Sequence, residues 1–271
     1  MRGRVLIIAG SDSGGGAGIQ ADIKACTALG AYAATAITAL TAQDTLGVHA
    51  VQGVPPDFIR LQIRLSLEDI GADALKTGML ADVLTIEAVC DAVAAHGRDI
   101  PLVADPVMVA KGGHPLLAPE AVETLRRRLL PLAALLTPNL PEAEIIAGQP
   151  VSTVEEMVAA ARRMLEMGAP AVLLKGGHLP GETLVDVLAT TGGIETFESG
   201  RIDSRHTHGT GCTLASAIAA GLAQGLSMRD AVARGRAYVR AALREAPGLG
   251  KGHGPLNHAV TLDPARLATL A

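Results

Sequence analysis

Six short apolar runs, each stopping at polar or glycine residues and each separated from the next by a stretch with helical patterning, govern what this chain can fold into. They cover residues 5–9, 33–40, 74–77, 102–105, 134–137 and 171–175. Continuous apolar runs of this length suit parallel strands covered on both faces. Strands that alternate with helices predict a three-layer α/β/α domain with a mainly parallel central sheet, here a single domain over residues 1–271. Between the runs, Asp82 caps a helix carrying Val83, Ile86, Val89 and Val93. Pro119 suits a first helical turn, and Val154, Met157, Val158, Ala161 and Leu165 form a further apolar stripe. After Lys175 the rhythm changes. Residues 183–188 and 195–197 read as a hairpin around Thr191-Gly192-Gly193, and a last helix is expected over roughly residues 228–245.

The core must be built from Ala, Val, Leu and Ile, because a chain that is 49% apolar has only two Phe, two Tyr and no Trp. That scarcity removes the aromatic platforms on which single-stranded nucleic acid stacks. A net charge of −4 also argues against a polyanionic partner, so no nucleic acid is expected. The basic start Met1-Arg-Gly-Arg4 leads into Val-Leu-Ile-Ile-Ala-Gly10, an apolar stretch too short for a signal peptide and better read as a first buried strand. No run approaches the roughly 18 apolar residues that a membrane span needs. Three cysteines, Cys26, Cys90 and Cys212, are far apart with no C-x-x-C pair, which points to a reducing cytoplasm.

In sheets of this kind ligands sit beyond the carboxyl ends of the strands. The residues there are Gly10-Ser11-Asp12, Thr41-Ala42-Gln43-Asp44, Thr77-Gly78-Met79, Asp105-Pro106-Val107-Met108, Thr137-Pro138-Asn139 and Lys175-Gly176-Gly177. Any one of them is an ordinary turn, but together they imply a shared cleft. His208-Gly209-Thr210-Gly211-Cys212 precedes a small-residue helical run, and a Gly-rich turn that opens a helix aims unpaired N–H groups and a helix dipole at an anion. Lys175 ends an apolar strand where it would meet an anion. Asp105 and Glu142 are placed to serve Mg²⁺, which takes one or two carboxylates and completes its octahedron with phosphate oxygens and water. Asn139 suits a helix N-cap. Cys212, at a helix start beside a lysine, is expected to have a depressed pKa and to accept a proton from a substrate hydroxyl. Cys26 and Cys90 fall in apolar helical patterns and read as core.

Two rival motifs fare worse. Gly16-x-Gly18-x-x-Ala21 fits a loosened dinucleotide fingerprint, but the acidic residue expected at the end of the second strand is misplaced, since Asp44 lies beyond Gln43. His206, His208 and Cys212 fit no common zinc spacing.

The chain closely resembles the hydroxymethylpyrimidine/phosphomethylpyrimidine kinases of thiamine biosynthesis, within the ribokinase-like superfamily. The stretches that carry the resemblance are residues 9–22, Thr41-Ala-Gln43, Lys76-Thr-Gly-Met-Leu80, Asp105-Pro-Val-Met108, residues 136–142, Leu174-Lys-Gly-Gly-His178, Thr207-His-Gly-Thr-Gly-Cys-Thr213 and Gly252-His-Gly-Pro255. The resemblance implies a ribokinase-like fold and transfer of the ATP γ-phosphoryl group to 4-amino-5-hydroxymethyl-2-methylpyrimidine and then to its monophosphate. It further implies that Gln43 reads the polar edge of the pyrimidine while Ala17, Met79 and Val107 pack around the ring. Gly209, Thr210, Gly211 and Cys212 would form the anion hole, Cys212 the base and Lys175 the ligand of the transferring phosphate. Asp105 and Glu142 would serve Mg²⁺, and the family implies a homodimer. Most sugar kinases of the superfamily carry an aspartate at the place of Cys212, and relatives often have valine at that of Thr41. A pyridoxine/pyridoxal kinase on the same scaffold, a silent ligand-sensing domain and a dinucleotide oxidoreductase remain as alternatives.

Overall fold

In the computed structural model, which describes residues 1–110, 113–263 and 265, the first apolar run becomes the hub of the sheet. Strand β1 (Arg4–Asp12) sends Val5, Ile7 and Ala9 to one face and Leu6 and Ile8 to the other, and all five are buried. This is the two-residue alternation that a strand imposes, with both faces dry.

The remaining strands are β2 (Tyr32–Gln43), β3 (Val48–Gly53), β4 (Ala74–Thr77), β5 (Leu102–Ala104), β6 (Leu135–Leu136), β7 (Ala171–Leu174), β8 (Thr183–Thr190) and β9 (Gly193–Gly200). They form one nine-stranded sheet in the order β3-β2-β1-β4-β5-β6-β7-β8-β9. From β2 to β7 every pairing is parallel, and Ile7 of β1 lies opposite Thr35 of β2 and Lys76 of β4. The chain leaves β1 toward β2 and β3, then returns to β1's other side as β4. Strand order therefore reverses at β1, which opens a crevice at the carboxyl ends of β1 and β4. Antiparallel β3 borders one edge, and the β8–β9 hairpin extends the other.

Helices cover both faces. Residues of α2 (Pro56–Asp69), α3 (Val83–His96), α5 (Leu140–Ala147) and α6 (Val154–Glu166), among them Ile63, Ile86, Ile146 and Met157, pack with Leu6 and Ile8. On the other face α1 (Gly18–Ala28), α7 (Thr210–Ala223) and α8 (Met228–Arg244) contribute Ile19, Ile218 and Val232 against Val5 and Ile7. Cys26 and Cys90 are buried, one on each face. This is the expected three-layer α/β/α arrangement. Among the described residues, no helix is long and apolar enough to cross a membrane. Residues 266–271, which the single-domain expectation includes, lie outside the described ones.

Local expectations differ in places. Asp82 caps α3 as expected, accepting from the Thr85 N–H at 2.8 Å. Pro119 instead lies before the short helix α4 (Ala121–Thr124): the Val122 N–H reaches back to its carbonyl in a lead-in turn, and Glu120 takes the cap position. The run at 134–137 shortens to two residues in β6, and β7 ends at Leu174. Lys175 still follows the sheet, its N–H donating to the Pro138 carbonyl. Strand β3 escaped the pattern because its edge position leaves it largely exposed, with no apolar run to reveal it.

Candidate active site

Helix α7 starts where the crevice opens. Gly209 stands at its N-cap with φ +79°, and no side chain caps the helix and no acidic residue occupies its first turn. By contrast Asp82, Asn139, Thr153 and Ser227 all cap their helices with side chains. The starts of α1 and α2 also lack a side-chain cap; at α7 the Thr210 N–H turns back to the Thr207 carbonyl at 3.4 Å, and the positive end of the helix dipole has no carboxylate in its first turn to meet it. The left-handed backbone at Gly209 disfavours an L side chain, and a Cβ there would overlap the Gly16 carbonyl.

Against this helix start lies a charged cluster from three strand ends. Lys175 Nζ donates to Asp105 Oδ1 at 2.9 Å, and Thr137 Oγ1 donates to the same oxygen at 3.0 Å. A Cβ on Gly211 would sit 3.2 Å from Lys175 Nζ and 3.6 Å from Asp105 Oδ2, so the first turn of α7 and the ammonium bound one small space. Burial alone would lower the Lys175 pKa, but Asp105 and Glu142 reverse this and hold it above its ordinary value. Asn139 and Glu142 form a reciprocal capping box at α5: Asn139 Oδ1 accepts from the Glu142 N–H at 2.9 Å and Glu142 Oε2 from the Asn139 N–H at 2.8 Å. Burial, then the charge of Asp105, pushes the Glu142 carboxyl up to about 7 against the pull of Lys175.

Cys212 corrects one expectation. Burial pushes its thiol up to about 11, and the opposing influences of Lys76 and the Gly18 N–H offset this only in part. Cys212 is only part-buried and lines the cleft, unlike the buried Cys26 and Cys90, so local desolvation at the cleft wall, not full enclosure, opposes the thiolate there. Behind Cys212 lies a pair for which the sequence assigned no role. Lys76 Nζ donates to Asp22 Oδ2 at 2.8 Å, and Ser216 Oγ donates to Asp22 Oδ1 at 2.7 Å, all three side chains being buried. Burial disfavours the Lys76 ammonium, but Asp22 and then Cys212 and Asp105 more than compensate and raise its pKa. The available signal was a lysine inside the four-residue apolar strand β4.

The surrounding cleft has a volume of about 680 Å³, within the range of small-molecule sites. Its lining includes every candidate site residue: Ala17, Gln43, Met79, Val107, Asp105, Glu142, Lys175 and Gly209 to Cys212. The Gln43 backbone is pinned by Ser13, whose Oγ donates to the Gln43 carbonyl at 2.9 Å and accepts from its N–H at 3.0 Å. Arg201, Arg236 and Arg240, which the sequence reading did not single out, line the cleft as well. Among the described residues, no three His, Cys, Asp or Glu side chains converge to cage a metal ion. Asp105 and Glu142 nevertheless offer two oxygen donors close enough to feel each other's charge. That donor set fits a hard cation such as Mg²⁺, whose other ligands are phosphate oxygens and water.

The family model for phosphomethylpyrimidine kinase matches residues 12–257. The chain is 47% identical to the hydroxymethylpyrimidine/phosphomethylpyrimidine kinase of Salmonella typhimurium, over 93% of its own length and 96% of that protein's. It is 52% identical to the thiamine biosynthesis bifunctional protein ThiED of Geobacter sulfurreducens, over 98% of its own length and 54% of that longer protein's. The chain thus spans about half of the bifunctional relative and nearly all of the monofunctional one. Among solved structures, Bacillus subtilis pyridoxal kinase in complex with ADP superposes with a TM-score of 0.89 at 38% identity, covering 97% of this chain and all of that one.

Proposed function

The chain belongs to the phosphomethylpyrimidine kinase family, and on that premise we propose that it phosphorylates 4-amino-5-hydroxymethyl-2-methylpyrimidine with ATP, then phosphorylates the monophosphate, in thiamine biosynthesis. The observation that carries this reading is the uncapped start of α7 facing Lys175 and Asp105 inside one cleft. Phosphoryl transfer needs little covalent help from protein; alignment and neutralisation of charge do most of the work.

In this reading the hydroxymethyl oxygen forms a bond to the γ-phosphorus while the bond from that phosphorus to the β,γ-bridging oxygen breaks, and ADP leaves with the electron pair. The amides of Gly209 to Cys212 and the Lys175 ammonium balance the charge on the moving phosphoryl oxygens. Gln43 reads the polar edge of the pyrimidine, and Ala17, Met79 and Val107 enclose the ring. Asp105 and Glu142 would hold Mg²⁺, which supplies neutralisation of the ATP phosphates. Burial keeps Cys212 a thiol at rest, so its minority thiolate, attracted by Lys76 behind it, takes the hydroxyl proton. The enzyme works as one kinase domain, as a homodimer and in the cytoplasm; sedimentation at twice the chain mass checks the assembly.

A second reading, pyridoxal kinase, is favoured by the close superposition on the Bacillus subtilis enzyme. Side-by-side assays with ATP, Mg²⁺ and either alcohol separate the two. The reading predicts pyrimidine mono- and diphosphate, and phosphorylation of pyridoxal alone would overturn it.

A further inference from the structure

Asp12 ends β1 with a side chain that is almost wholly enclosed, 1% exposed, and though it lies at a strand end lining the cleft it has been given no role so far. Its Oδ1 accepts from the Gly14 N–H at 2.7 Å, and its Oδ2 accepts from the Gly16 N–H at 2.9 Å and the Ala17 N–H at 2.7 Å. The fourth partner comes from the other end of the chain: His208 Nε2 lies 2.9 Å from Oδ2. Burial would raise the Asp12 pKa, but the bonds from His208, Ala17 and Gly14 outweigh it and keep the group ionised. An ionised carboxylate only accepts, so Nε2 carries the proton.

This bond joins two loops with different tasks. Residues 13–17 lead into α1 on the acceptor side, where Ala17 lines the cleft, and residues 207–212 form the phosphate-side turn. The loops touch without room for side chains, since a Cβ on Gly16 would lie 2.6 Å from His208 Cδ2. A third segment seals the contact. The His208 N–H donates to the Gly254 carbonyl at 3.2 Å, and the His253 N–H donates to the Thr45 carbonyl at 2.8 Å, two residues beyond Gln43. The Gly252-His-Gly-Pro255 stretch, noted in the sequence without a task, therefore straps the phosphate-side turn to the end of the acceptor-side strand.

We propose that Asp12 and His208 form a positioning clasp that locks the acceptor-side loop to the phosphate-side turn and so sets the gap across which the phosphoryl group moves. The inference rests on the kinase reading above. His208 acts through the turn it holds, because its Nε2 proton is already engaged by Asp12. Asp12 keeps three backbone donors without it, so loss of the imidazole loosens the loops while leaving the carboxylate solvated by N–H groups. Reacting groups displaced by about 1 Å can lose about 10²-fold in rate.

The test compares His208→Leu with His208→Gln, whose amide reaches to about where Nε2 lies. His208→Leu is expected to lower kcat by about 10- to 100-fold with little change in either KM, and to raise the ATP consumed per pyrimidine phosphorylated. His208→Gln should recover most of the rate and the coupling. Hydrogen exchange of residues 13–17 should quicken in His208→Leu and return toward the wild-type rate in His208→Gln. Wild-type turnover in His208→Leu, equal impairment of both variants, or unchanged exchange in His208→Leu would overturn the clasp. Should His208→Leu not fold, His208→Asn, too short to reach Asp12, takes its place against His208→Gln, and equal rates again overturn it. A wild-type protein that transfers no phosphoryl group would sink the kinase reading instead, since the exchange comparison reads the clasp without turnover.

Discussion

Lys76 Nζ and Asp22 Oδ2 lie 2.8 Å apart with neither side chain touching solvent, and Asp22 Oδ1 also accepts from Ser216 Oγ of α7. An enclosed pair of this kind adds little net stability over an apolar pair, but removing one partner strands the other charge. Lys76→Met should therefore cost about 3–5 kcal/mol. Adding Asp22→Asn should recover a good part of that loss, because Ser216 Oγ can still donate to the amide oxygen. Urea unfolding of the two variants checks this; a double variant as unstable as the single one would contradict it.

Gln43 lies at the end of β2 and lines the cleft, where the proposed function has it read the pyrimidine. Gln43→Leu keeps the volume but removes the amide. The KM for the pyrimidine should rise by about tenfold or more while the KM for ATP stays close to wild type. Equal changes in both constants would remove Gln43 from pyrimidine recognition.

Glu142→Gln isolates charge from helix capping. The glutamine oxygen can still accept from the Asn139 N–H, so the start of α5 should survive. The Mg²⁺ concentration for half-maximal activity should rise by about tenfold or more. An unchanged Mg²⁺ requirement with intact folding would show that Glu142 serves the helix alone.

His258 gives a pH dependence of stability. Burial, with a smaller push from Lys24, lowers its pKa from the ordinary 6.5 to about 4. Its Nδ1 lies 3.0 Å from the Tyr238 hydroxyl. Between these two values the unfolded chain binds a proton that the folded chain does not, so this group's contribution is present above pH 6.5 and is lost as pH falls toward 4. His258→Gln should flatten the decline in urea midpoint over that interval. An unaltered slope would assign the acid sensitivity to other groups.

Much of this architecture was legible because burial leaves a periodic mark. The run at 5–9 read as a doubly covered strand, the strand-end residues Asp105 and Lys175 pointed to a shared cleft, the Gly-rich turn to Cys212 and the first turn with Glu142 were legible as helix starts, and the family resemblance supplied the role of Gln43. What stayed hidden depends on partners remote in sequence. Nothing near Asp12 announces His208, 196 residues away. Nothing near Lys76 announces Asp22 and Ser216, so an enclosed cation read only as an interruption in an apolar run. Cys212 failed differently. Its place at a helix start was visible, but the local desolvation that raises its thiol pKa comes from tertiary packing that no local pattern records. Strand β3 was missed because an edge strand with exposed His49, Ala50 and Gln52 lacks any hydrophobic period.

The proposed kinase activity depends on phosphoryl transfer between the start of α7 and Lys175. Its most direct test is single-turnover transfer from ATP to the hydroxymethylpyrimidine in Lys175→Ala and Cys212→Ala, with ATP affinity measured on the same preparations. The transfer rate should fall by about 10²-fold or more in each variant, with ATP binding far less affected. Transfer within a few-fold of wild type in both would contradict it.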